Sequence, residues 1–320
     1  MLDYHAQLDD LDLVRALSLE HESQLEATVQ SLTQFTLTAT DGAAIAAYRS
    51  MPSGPARAVV QIAHGMSEHY LRYQHLTDRL NDAGFAVFGN DHRGHGASVT
   101  AHGLGEFGPG GFKAVVDDMA TLTELAMAEI PGKPFVLLGH SMGSFAAQLY
   151  LLEHHRELSA LVLAGTAALD VLLASLLAGG GPVTLELLNA AFEPGRTRFD
   201  WLSRDEAQVD SYIADPMCGF ALSDAAMGSV FQLGAGARLD PRLSEVRPDL
   251  PIYVISGECD PVVGPNQAFV RALVDSYRLA GLTLIDHRIY PGGRHEMFNE
   301  TCRREVESEL VDWLERALAL

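Results

Sequence analysis

Short apolar runs and amphipathic stretches alternate along most of this chain. Residues 34–50, QFTLTATDGAAIAAYRS, read as two strands joined at Asp41-Gly42, a hairpin turn signal. AVVQIAH (58–64) is a continuous apolar run, as expected of a strand buried on both faces. LRYQHLTDRLNDAG (71–84) has helical character and ends at a glycine suited to a helix stop. The pattern continues with FAVFGN (85–90) as strand and GFKAVVDDMATLTELAMAEI (111–130) as a helix halted before Pro131-Gly132. FVLLG (135–139), SFAAQLYLLEHH (144–155) and LSALVLAG (158–165) then predict strand, helix and strand.

Strands that alternate with helices predict an α/β protein, a mostly parallel sheet with helices on both faces. From residue 166 to 247 the alternation stops, and helical stretches appear without a buried strand. It resumes with PIYVISG (251–257), a helix around QAFVRALVDSYRLAG (267–281), the strand LTLIDHRIY (282–290) and a last helix ending at Leu320. The expected organisation is a core of residues 32–165 and 248–320 interrupted by a helical cap, residues 166–247. Ahead of the core, Leu8, Leu11, Val14 and Leu17 stand among Asp9, Asp10 and Asp12, so residues 1–31 read as an arm with an amphipathic helix.

Composition narrows the function. The chain has 320 residues, 48% of them apolar, enough for a sizeable core. A formal net charge of −20 repels phosphate backbones, which argues against nucleic-acid binding. Cys218, Cys259 and Cys302 are far apart and form no C-x-x-C pair, which suits a reducing compartment. The acidic N-terminus lacks the apolar core of a signal peptide, so the expected location is cytoplasmic. The most apolar region, residues 168–192, is broken by Asp170, by Gly179-Gly180-Gly181-Pro182 and by Glu186, and is too interrupted to span a bilayer.

Gly139-x-Ser141-x-Gly143 lies between the strand FVLLG and a helix. That context is the one a nucleophile elbow requires, with small residues on each side of a sharp turn that lifts the serine above the sheet. A serine hydroxyl needs a general base, and on this architecture the partners follow in the order serine, acid, histidine. After residue 250 only His287 and His295 remain. His287 lies inside a strand, whereas His295 follows it in a loop that can reach back, so His295 is the candidate base. The acid should follow the strand PIYVISG, where Glu258 and Asp260 are available. Asp260 is favoured because Pro261 ends ladder pairing and fixes the loop; Glu258 reads as a surface carboxylate and Cys259 as a small buried filler.

An oxyanion hole should pair the N–H of Met142, just past the serine, with an N–H from the loop His64-Gly65-Met66-Ser67-Glu68-His69. Gly65 permits a sharp turn there and Met66 is the donor candidate. His64, His69, His92, His95 and His102 are many imidazoles in a short span, but no carboxylate–histidine set recurs at helical spacing. No metal or cofactor is therefore expected.

HGMSEHYLRY, DHRGHGAS, GHSMGS, SGECDPV and GGRHEMFNE, in this order, make residues 32–318 resemble the monoacylglycerol lipase and lysophospholipase branch of the α/β-hydrolase superfamily. The resemblance implies the α/β-hydrolase fold with a helical cap insertion. It also implies a triad of Ser141, Asp260 and His295 and a single-chain acyl ester as substrate. It further implies that Glu68 and Arg72, and Tyr212 in LSRDEAQVDSYIADPMC, face a glycerol group, although Glu68 and Arg72 can instead form an internal ion pair. One position departs: Phe298 stands where the animal enzymes place a second histidine. The apolar cap stretches VLLASLL and LELLNAAF are candidates for an acyl channel and for transient membrane contact. A short-chain carboxylesterase, a proline-type aminopeptidase using Glu186, Glu193, Asp205, Glu206 or Asp210, and a silent binding protein are the rival readings.

Overall fold

A computed structural model describes residues 32–99, 103–178 and 185–320. The N-terminal arm (1–31) and His102 lie outside the described residues. Eight strands form one sheet. β1 (Thr33–Thr38) and β2 (Ala44–Ser50) form the expected hairpin, with Gly42 at φ 86° in the turn and Asp41 Oδ1 accepting from Ala43 N. β2 is antiparallel to β4 (Phe85–Asn90). From β4 through β3 (Ala58–Ala63), β5 (Phe135–His140), β6 (Ala160–Ala164), β7 (Ile252–Gly257) and β8 (Ile285–Tyr290), every pairing is parallel.

The apolar runs of β3 to β7 have a physical cause: all five strands are buried along their whole length. Successive residues point to opposite faces. Phe135 and Leu137 of β5 enter one core, with α2 (Gly111–Glu129), α3 (Met142–His154) and α7 (Ala268–Leu279). Val136 and Leu138 enter the other, against α1 (Gln74–Asp82) and α8 (Arg303–Ala317). Gly84 at φ 85° closes α1, its N–H donating to Asn81 O at 2.8 Å, which is the helix stop read from the sequence. β8 begins at Ile285, three residues later than the apolar pattern suggests, and its alternate burial marks a sheet edge.

Between β6 and β7 the chain builds α4 (Leu169–Ala178), a 3-10 stretch (Leu185–Phe192), α5 (Glu206–Ala214), α6 (Asp224–Ala237) and a short turn at Pro241–Glu245, with no strand among the described residues. Asp205 and Ser223 cap α5 and α6 by accepting from first-turn N–H groups. Leu169, Leu172, Trp201, Leu202, Tyr212 and Val230 join the α2/α3 core, so this insertion sits over the carboxyl ends of the parallel strands. No helix among the described residues is long and apolar enough to cross a membrane.

Candidate active site

Ser141 occupies the single step between β5 and α3, at φ 51° and ψ −120°. Such a backbone is strained for a residue with a Cβ and costs about 1–3 kcal/mol. The residues two before and two after it must be glycine because nothing larger fits. A Cβ on Gly143 would lie 2.2 Å from Ala63 O, and one on Gly139 would lie 2.5 Å from Gly143 O. The turn is held by Ser141 N donating to Ala164 O at 2.9 Å and Ser144 N donating to Ser141 O at 2.8 Å.

Asp260 and His295 meet. His295 Nδ1 stands 2.9 Å from Asp260 Oδ2, and the second carboxylate oxygen accepts from Val262 N at 2.8 Å. Both side chains are buried. Burial draws the His295 ring toward its neutral form, but the Asp260 charge and hydrogen bond outweigh it, with Glu296 and Glu68 adding, so the pKa lies above the ordinary histidine value. The other ring nitrogen, Nε2, is buried with no hydrogen-bond partner, and His295 lines the same cavity as Ser141. Trp201 and His140 flank the ring, each with its centroid 4.7 Å away. His295 N donates to Trp201 O and Glu296 N to Leu202 O, so the insertion holds the histidine loop in place.

The other candidates part company here. His287 stays in β8 with Nε2 3.0 Å from Ser256 Oγ, and it is absent from the cavity wall. Glu258 is exposed and accepts from Gly292 N at 2.8 Å, tying the loop after β7 to the loop after β8. Cys259 is exposed, which corrects the expectation of a buried filler: the loop has already left the sheet, and its side chain points outward.

Met142 opens α3, and its N–H is one of the four that a helix leaves without an intrahelical acceptor. Gly65 and Met66 line the cavity beside Ser141. Gly65 is needed for close approach, since a Cβ there would lie 2.7 Å from Glu68 Oε1 and 3.2 Å from Ser141 Cβ. The unusual backbone of this loop falls on Ser67, at φ 58°, and not on the glycine.

Glu68 and Arg72 do form an ion pair, but within a larger buried network. Arg72 Nη1 donates to Glu68 Oε2 (2.6 Å) and Glu296 Oε1 (2.5 Å), and Nη2 donates to Glu296 Oε2 (2.7 Å). Glu68 Oε1 accepts from Gly65 N (2.5 Å) and Tyr73 Oη (2.7 Å). The guanidinium lies 4.8 Å from the centre of the Tyr212 ring. Burial raises both carboxyls; at Glu296 the Arg72 charge reverses this and holds the group below its ordinary value, whereas at Glu68 burial prevails. Glu68, Glu296 and Tyr212 line the cavity, and Arg72 sits behind them. Nothing in the sequence marks Glu296 except its position next to His295. Phe298 faces away, packed in the α1/α8 core.

The rest of the cavity wall is apolar. Leu169, Leu172 and Leu176 of α4 face Phe145 of α3, Met227, Val230 and Phe231 of α6, and Leu188. Of the cap acids, Glu193, Asp205, Glu206 and Asp210 do not line it, and the Glu186 side chain lies outside the described residues. Among the described residues one set of metal-type donors converges, His69, Asp215 and Cys218, within 4.8 Å of one another. There His69 Nε2 already bonds Asp215 Oδ2 at 2.8 Å, a hydrogen bond between the loop after β3 and the insertion.

A mostly parallel eight-stranded sheet carrying a serine on a strained strand–helix turn, under a helical insertion, defines an α/β-hydrolase. The chain belongs to the hydrolase family whose model is described as "Serine aminopeptidase, S33", matched over residues 54–302. Monoacylglycerol lipase of Mycolicibacterium smegmatis is 33% identical over 279 residues, 82% of this chain and 90% of that protein. Monoglyceride lipase of Mus musculus is 29% identical over 282 residues, 84% and 86% of the two chains. A solved structure of a thermostable carboxyl esterase from Bacillus coagulans in complex with glycerol superposes with a TM-score of 0.78 at 28% identity, covering 90% of this chain and 99% of that one.

Proposed function

We propose that the protein is a serine hydrolase that cleaves monoacylglycerol through an acyl-enzyme intermediate. The observation that carries this reading is the His295 ring, anchored to Asp260 through Nδ1, with Nε2 buried and unpartnered in the cavity that Ser141 shares. His295 takes the Ser141 proton as the hydroxyl attacks the ester carbonyl. Asp260 holds the tautomer and stabilises the imidazolium. The N–H groups of Met66 and Met142 receive the oxyanion, and His295 then protonates the departing alcohol and activates water to free the acid.

The apolar wall suits one acyl chain, and Glu68, Glu296 and Tyr212 offer polar groups to the alcohol. Monoacylglycerol is favoured over a lysophospholipid because no Lys or Arg lines the described cavity, and the donors of nearby Arg72 are engaged by two carboxylates. A phosphate would enter without a cation to receive it. An aminopeptidase would need a carboxylate for the substrate ammonium; none of the described cap acids reaches the cavity, and Glu68 and Glu296 are occupied by Arg72.

The test is acid release from monoacylglycerols, lysophospholipids and short esters, beside cleavage of a prolyl arylamide, by the wild type and Ser141→Ala. Monoacylglycerol turnover that falls by ~10³-fold or more in the variant is expected. Retained turnover would overturn the role of Ser141, and faster prolyl arylamide cleavage would overturn the substrate.

A further inference from the structure

We propose that His64 is a positioning residue, whose ring turns the Gly65–Met66 peptide so that the Met66 N–H faces the Ser141 end of the cavity; this rests on the acyl-transfer reading above. His64 follows β3 and His92 follows β4, side by side at the carboxyl edge of the sheet. The backbone N–H of His92 points at His64 Nε2, 2.9 Å away. An N–H can only donate, so Nε2 accepts, and the proton of the neutral ring sits on Nδ1. That Nδ1–H meets Gly65 O at 2.7 Å. The His92 ring returns the contact, its Nε2 lying 3.1 Å from His64 O.

The consequence lies in the next amide. In a trans peptide the N–H of Met66 points opposite to the C=O of Gly65. The Gly65 N–H is engaged separately, by Glu68 Oε1 at 2.5 Å. Side chains thus take both polar groups of Gly65 and fix the plane that carries the Met66 donor. From the cap side, Gly219 N donates to Ser67 O at 2.9 Å and Ser67 Oγ to Phe220 O at 2.6 Å, so the loop is gripped from both directions. An oxyanion hole works by being set before charge develops, and a flipped or mobile peptide forfeits that.

The surroundings keep the ring in the form this role needs. His64 is fully buried, with the His92 ring 4.2 Å and the His95 ring 5.3 Å away, centroid to centroid. Burial first, then the two neighbouring histidines, hold its pKa well below the ordinary value. A second proton on Nε2 would face the His92 N–H head-on.

Two variants separate the two bonds. His64→Asn places an amide near Nδ1 and retains the donor to Gly65 O; His64→Gln places an acceptor near Nε2 and retains only the link to His92. With a p-nitrophenyl ester, His64→Gln should lose ~10²-fold in kcat with little change in KM, and His64→Asn should recover at least tenfold of that loss. Equal losses in the two variants, or a wild-type kcat in His64→Gln, would overturn the proposal. Nitrogen-15 NMR of the wild-type histidines gives a readout independent of variant folding and of turnover: Nδ1-protonated, Nε2-bare His64 is expected, and the opposite tautomer would sink the idea. If Ser141→Ala kept full activity while the tautomer stood as expected, the acyl-transfer reading alone would have failed.

Discussion

Arg72 grips Glu296 with two hydrogen bonds, 2.5 and 2.7 Å long, and Glu296 is the residue after His295. The histidine loop is therefore anchored through a buried guanidinium behind the cavity wall. The same guanidinium holds Glu68, whose other oxygen accepts from Gly65 N, so one cation ties together the loop of the candidate base and the loop of a candidate oxyanion donor.

Removing that cation should be costly. Arg72→Met leaves two buried carboxylates without their partner, and breaking such a network typically costs ~3–5 kcal/mol. The expected result in urea unfolding is a lower midpoint with an unchanged slope. Adding Glu296→Gln to Arg72→Met should restore part of the loss, because one orphaned charge is then gone. A loss below ~1 kcal/mol in Arg72→Met would mean that water reaches these groups and that the loops are held by other contacts.

In the proposed reaction the Asp260–His295 contact should set the acid limb of the pH profile. His295 must be neutral to accept the serine proton, and its pKa is raised above the ordinary value by Asp260 against the opposing effect of burial. In Asp260→Asn the burial effect is left unopposed by that charge. The acid limb of kcat/KM should then move to lower pH while the plateau falls by ~10⁴-fold, as the tautomer is no longer held. Stability should follow the same group: a raised folded pKa contributes stability that is fully present below the unfolded histidine value and lost as pH rises through the folded one. The wild-type Tm advantage over Asp260→Asn should therefore shrink as pH rises from 6 to 9. An acid limb that stays in place would assign it to another group.

Much of this arrangement is legible in the chain, for identifiable reasons. Strands β3 to β7 are buried on both faces, so they read as unbroken apolar runs, and Gly84 marks the end of α1 because the chain turns left-handed there. Ser141 stands out because the turn between β5 and α3 tolerates only glycine at Gly139 and Gly143. Glu296 does not stand out, since its partner Arg72 is 224 residues away and only the fold brings them together. Cys259 misleads because it comes only two residues after a buried strand, and nothing local says where the chain turns outward. Gly65 was legible as a turn residue, whereas its actual constraint is the packing of Glu68 and Ser141 against it.

The strain at Ser141 should be measurable. Glycine accepts φ 51° and ψ −120° far more readily than alanine does, and the strain of ~1–3 kcal/mol exceeds the ~0.5–1 kcal/mol that glycine loses in conformational entropy. Ser141→Gly and Ser141→Ala should both be inactive, with Ser141→Gly melting higher by a few degrees. Equal melting temperatures in differential scanning calorimetry would show that the turn is relaxed in solution.

The acyl wall makes the last prediction. Leu169, Leu172 and Leu176 are spaced three and four residues apart, so they share one face of α4, and that face lines the cavity. Leu172 is buried, at 6% exposure, and lines the cavity beside Leu169 and Leu176. A tryptophan there should fill cavity space and shorten what is left for an acyl chain. Each methylene denied its apolar contact forfeits about 0.8 kcal/mol, so excluding two should lower kcat/KM roughly tenfold or more for the long chain alone. Leu172→Trp is therefore expected to keep near wild-type kcat/KM on a butyryl ester and to lose at least tenfold on a lauroyl or palmitoyl ester, shifting the chain-length optimum downward. A uniform fall across all lengths would indicate damage to the Ser141–His295 geometry, and an unchanged profile would place the acyl chain along a different wall.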